Sequence, residues 1–160
     1  MKINLTEKPE VIQKQPQLFL YLEKIGPFMV QAPKAWQEFH EISKPVMSAL
    51  ATTGMCGLSK IDESRQDDTK YVYQAGVFLE HAPAKNPDGL SLRTTPAGKY
   101  ARFVLTGGYH QLPQAYPQIF SILEEDGISL RDEFCAEIYL NTPQDTAEEN
   151  LQTEILIPVQ

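Results

Sequence analysis

The chain has 160 residues, 42% hydrophobic and 22% charged, with a net charge of −7. That is enough apolar material for one domain, or for two half-size units sharing a core, and it excludes global disorder. The acidic balance argues against a broad nucleic-acid face, and no apolar run reaches the length of a bilayer span.

In chain order, residues 1–15 carry no clear pattern beyond "KINLT", which could add an edge strand. "MKINLTEKPE" lacks the apolar core of a signal peptide, so a cytoplasmic location is expected. Residues 18–25 are apolar and β-prone and read as a strand. "APKAWQEFHEISKPVMSAL" follows, with Trp36, Phe39, Val46 and Leu50 near helical spacing. Pro33 fits a helix start, Pro45 should kink or divide the helix, and Gly54 should end the segment. Residues 55–61 and 71–80 read as strands across the acidic turn "DESRQDDT". "HAPAKNPDG" (81–89) reads as a connector. Residues 99–106 then read as a strand. Residues 112–125 read as a helix with Tyr116, Ile119, Phe120 and Leu123 on one face and Gly127 at its end. Residues 133–141 and 151–159 read as strands joined by "TPQDTAEEN".

The order is β-α-β-β twice, and the sequence repeats with it. "QAPKAW" at 31–36 returns as "QLPQAY" at 111–116, "GPF" at 26–28 as "GGY" at 107–109, and "MC" at 55–56 as "FC" at 134–135. Near-constant offsets of 79 to 81 residues point to an internal duplication. The expected architecture is α+β. Two pseudo-symmetric halves, about 1–80 and 90–160, form a single domain with a mixed or antiparallel sheet, two main helices and a central ligand groove.

Symmetry makes departures informative. At an offset of 79, Glu137 falls opposite Leu58, a carboxylate against an apolar residue. In "EFCAEIYLN", Phe134, Ala136, Ile138 and Leu140 are expected to pack on the helices, and Cys135, Glu137, Tyr139 and Asn141 to point the other way. Glu137 reads either as a carboxylate on a solvated sheet face or as the floor of an aromatic-lined cation site. Trp36 and Tyr116 occupy matched helix positions, and Phe28 and Tyr109 matched loop positions that could close a groove rim. His40, His81 and His110 have no metal-ligand spacing, and no phosphate loop or catalytic triad is visible, so neither a metal nor a cofactor is expected. Cys56 and Cys135 fall at matched points and read as small buried residues rather than nucleophiles or a disulfide.

"LRTTPAGKYARFVLTGGY" (92–109) resembles the central signature of the gyrase-inhibitor-like (GyrI-like) family. "FCAEIYLN" (134–141) resembles the strand after its second helix, and "LQTEILIPVQ" (151–160) its closing strand. The same domain forms the effector-binding part of AraC- and MerR-type multidrug-responsive activators. The resemblance implies a tandem β-α-β-β fold with a central groove. It also implies a stand-alone module binding cationic, amphipathic or aromatic small molecules, with no direct nucleic-acid contact. The family's ligand-contacting carboxylate falls on Glu137, and the helix aromatic, often Trp in relatives, is Tyr116. The expected ligand-binding set is therefore Glu137, Tyr139, Tyr116, Trp36, Tyr109 and Phe28. Binding rather than catalysis is the leading expectation. The alternatives are hydrolysis of strained cyclopropane-bearing toxins through the same Glu137, and interaction with gyrase or a separate regulator. Ligand identity and oligomeric state stay open.

Overall fold

The computed structural model describes residues 2–160. Among these, nine strands and two α-helices give an α+β fold in which the named strand pairs are antiparallel. The described chain divides into two compact units, one formed by residues 15–96 and the other by residues 2–14 with 97–160. No helix is long and apolar enough to cross a membrane.

In the first of these units, β3 (Gln17–Ile25), β4 (Thr52–Ile61) and β5 (Tyr71–Leu79) form a sheet with β5 in the centre. Helix α1 (Phe28–Ser43) connects β3 to β4, which run parallel to each other with β5 between them. β6 (Ser91–Thr95) closes the far edge on β3. The other unit repeats this plan. β9 (Gln152–Pro158) sits between β7 (Gly98–Thr106) and β8 (Cys135–Tyr139), with α2 (Leu112–Glu125) connecting β7 to β8. β1 (Asn4–Leu5) and β2 (Glu10–Lys14) pair with the outer edge of β7.

The expected β-α-β-β order is present in both units, and "KINLT" does contribute to an edge strand. Sequence reading missed β2 and β6. Each lies just before the first strand of one unit and pairs with the first strand of the other, so no local hairpin signal announces it.

The helices bury matched positions. Ala35, Phe39 and Ser43 are buried on α1, and Ala115, Ile119 and Leu123 on α2, each triplet at i, i+4, i+8 and 80 residues apart. Beneath α1 lie Leu20, Leu22, Tyr73, Ala75 and Val77; beneath α2 lie Ala101, Phe103, Leu105, Ile155 and Ile157. Both helices follow a glycine with positive φ, Gly26 at 135° and Gly107 at 142°. A side chain there would be strained and would also meet the side chain of Gln31 or Gln111, the first residue of each repeated hexapeptide.

Several local expectations are corrected. Helix α1 begins at Phe28, so Pro33 sits inside it rather than at its start. Pro45 falls in a 3-10 turn, Lys44–Ala49, that follows α1: proline has no N–H for the α ladder, and the chain tightens instead. Gly54 does not end that segment; it lies in β4 beside a bulge. Phe120 is exposed, and Ala115 takes its place on the buried stripe of α2. Gly127, with φ 68°, does end α2: its N–H reaches Glu124 O and that of Ile128 reaches Leu123 O, a Schellman closure.

Candidate functional site

The face that Glu137 occupies is set by the pairing of β8 with β9. Glu137 stands opposite Ile155, which belongs to the core under α2. Directly opposed residues share a face, so Glu137 points to the helix side of the sheet, with Cys135 and Tyr139 as its same-face neighbours. This reverses the expectation. Ala136 stands opposite Leu156, outside the core under α2, and Leu140 is 47% exposed. Alternation separates two faces but does not say which one a helix will cover, and here both carry apolar side chains.

Two phenols hold the carboxylate. Tyr116 is the residue after the buried Ala115 on α2, and its hydroxyl donates to Glu137 Oε2. Tyr139 donates from two residues along β8 to Oε1, at 3.0 Å. The Tyr109 ring meets Tyr139 edge-on, with centroids 5.5 Å apart and planes at 70°. No lysine, arginine or histidine of the described chain forms an ion pair with Glu137. Burial raises its pKa above the ordinary carboxylate range, and the two phenol hydrogen bonds act in the opposite sense.

That direction predicts a pH dependence of stability. With its folded pKa raised, the folded state holds the proton more tightly than the unfolded chain does. Stability from this group is therefore full below the ordinary carboxylate pKa and falls as pH rises through the folded value. Denaturant unfolding across this range should show a decline in wild type that is absent in Glu137→Gln.

Burial, reinforced by the Glu137 charge, pushes the Cys135 thiol up to about 12. Cys56 is fully buried, and Cys56 and Cys135 form no disulfide. Both should alkylate slowly in the native protein at neutral pH and rapidly after unfolding, Cys135 because the thiolate is the reactive form and Cys56 because it is closed to solvent. Fast native labelling of Cys135 would contradict this environment.

The other predicted aromatics belong to the unit containing α1. Trp36 Nε1 donates to the Tyr73 hydroxyl at 2.8 Å, and its ring lies 5.9 Å from Phe39. Phe28, the first residue of α1, packs edge-on to Tyr71 at 5.4 Å and lies 6.4 Å from Tyr73. Tyr73 was not singled out in the sequence.

The strand registers refine the repeat. Leu105 and Tyr139 flank Thr153 in one unit, as Lys24 and Ser59 flank Tyr73 in the other. The offset is thus 81 for the first strands and 80 for the others. Glu137 corresponds to Gly57, not Leu58, and Cys135 corresponds to Met55, not Cys56. Packing agrees: Met55 and Cys135 each touch the core under their helix. Matching "MC" to "FC" by letter placed the alignment one residue out, which in a strand swaps the faces.

An open, polar cleft of about 310 Å³ lies over Thr106–Gly108, His110, Gln111 and Glu148–Glu149, and neither Glu137 nor its phenols line it. Among the described residues, no cluster of His, Cys, Asp or Glu could hold a metal ion.

The fold and the family model together define an α+β small-molecule-binding domain built from two β-α-β-β units. The chain belongs to the family of the GyrI-like small molecule binding domain, whose model matches residues 7–160. Solved structures with the same fold include the EcmrR C-terminal domain, at 19% identity and TM-score 0.74, covering 100% of this chain and 99% of that one. SAV2435 bound to tetraphenylphosphonium is 17% identical with TM-score 0.70, covering 96% and 94%. A hydrolase encoded by lin2189 from Listeria innocua is 15% identical with TM-score 0.63, covering 96% and 92%. The chain spans 57% of the EcmrR chain seen in a complex with DNA, at 19% identity and TM-score 0.76, covering 96% of this chain. At these identities the likeness is one of fold. No curated protein sequence matches the chain.

Proposed function

We propose that this GyrI-like domain binds cationic, amphipathic or aromatic small molecules, with Glu137 supplying the charge. The observation that carries this reading is a carboxylate under a helix whose partners are two phenols and no base. Ionising such a group without a counter-charge is unfavourable, and a bound cation supplies that charge. Tyr116, Tyr139 and Tyr109 would offer ring faces and edges around the charge. Tetraphenylphosphonium, the ligand of SAV2435, is a cation of this class. The test is thermal stabilisation by lipophilic cations and their neutral isosteres. Ligand at about a hundred times its dissociation constant should add roughly 2.7 kcal/mol.

A second reading is hydrolysis. A carboxyl with a raised pKa beside phenol hydroxyls is suited to general acid–base work on water or a strained ring, and one fold neighbour is a hydrolase. Product formation from a cyclopropane-bearing aromatic substrate, lost in Glu137→Gln, would favour it; binding without turnover would favour the first reading.

A further inference from the structure

The geometry points to Thr153 as a ligand-contacting residue that makes this site select cations bearing N–H groups over fully alkylated ones. The inference rests on the reading that Glu137 carries the site. Thr153 is fully buried, yet its Oγ1 has no hydrogen-bond partner in the described chain. It stands directly opposite Tyr139, the residue whose hydroxyl reaches Glu137 Oε1. It lies two residues from Ile155, which faces Glu137, so Thr153 is the diagonal neighbour of the carboxylate on the helix-covered face.

The other unit shows what this position does when it is satisfied. Thr153 corresponds to Tyr73, and Tyr116 to Trp36, each at an offset of 80. There the helix aromatic donates to the strand hydroxyl, Trp36 Nε1 to Tyr73. Here the helix aromatic donates to Glu137, for which the other unit has only Gly57. In this unit the helix donor is taken by Glu137, and the hydroxyl of Thr153 has no partner. A buried hydroxyl with no partner is destabilising, and such groups call for an explanation. Each Glu137 oxygen accepts one phenol hydrogen bond and keeps a further lone pair, and Thr153 Oγ1 is another acceptor on the same face. An ammonium with several N–H groups can satisfy this set. A trimethylammonium or phosphonium brings charge but no donor.

Isothermal titration at neutral pH with 1-naphthylmethylammonium and its N,N,N-trimethyl counterpart tests this, on wild type, Thr153→Val and Glu137→Gln. The primary ammonium should bind wild type about tenfold more tightly. Thr153→Val should bring the two ligands to near-equal affinity, leave the trimethyl compound unchanged and not lower the melting temperature. A purely structural role for the hydroxyl would not move the ratio between the ligands. Equal affinities in wild type, or a preference that survives in Thr153→Val, overturns the inference and leaves the cation site intact. If neither compound binds wild type, or both bind Glu137→Gln as well as wild type, the Glu137 reading falls and this inference with it.

Discussion

Glu137→Gln should lower the affinity for a lipophilic cation about tenfold or more while leaving a neutral isostere unaffected. Gln is nearly the same size and keeps one carbonyl oxygen to accept from Tyr116 or Tyr139, so packing under α2 should survive. What is lost is the negative charge, in a place where no basic side chain of the described chain balances it. Charge-assisted contacts are worth about 1.5–3 kcal/mol, enough for a ten- to hundredfold effect. Wild-type affinity for the cation should also rise with pH through the raised pKa of the unliganded protein and then level off. Above that value no cost of deprotonating Glu137 remains to be met. Glu137→Gln should bind with no such slope. Cation-induced thermal shifts of equal size in wild type and Glu137→Gln would remove Glu137 from the site.

Gly76→Ala should cost about 3 kcal/mol or more and lower the melting temperature by roughly 10 °C. Gly76 is buried in the central strand β5, opposite Tyr21 on β3 and Cys56 on β4. An added Cβ would lie 2.2 Å from the Leu20 carbonyl oxygen and 2.9 Å from Tyr21 Cα. Both are backbone atoms of the neighbouring strand, so relief requires moving β3 rather than turning a side chain. Gly127→Ala is the informative control. A Cβ there meets nothing within 4 Å, and only the positive φ of 68° opposes it. Its cost should stay near 1 kcal/mol. Thermal melts of the two variants compare steric overlap with backbone strain; equal losses would show that β3 and β5 have room for a methyl at Gly76.

How the site was reached from the sequence has a physical explanation. Leu112–Glu125 was readable as a helix to the residue, because the apolar period and Gly127 after its end agree. Glu137 stood out in the sequence through the likeness of its strand to the family's, since the contrast with Leu58 came from an alignment one residue out and its counterpart is Gly57. Which face it occupied was not legible, since a period of two leaves the sense of the strand undefined until β9 and α2 are in place. Thr153 and Tyr73 carried a signal only at the offset of 80, which was obscured when "MC" was set against "FC". Once the registers fix that offset, both stand out as matched hydroxyls.

By itself the sequence determined the duplicated β-α-β-β order, the α+β class and the family, because periodicity, turn residues and signature strands are local properties of the chain. Tertiary structure decided the rest. It paired β2 and β6 with strands distant in sequence, turned Glu137 toward α2, and brought the phenols of Tyr116 and Tyr139 onto its two oxygens. These depend on long-range registers, where a shift of one residue exchanges the buried face for the other.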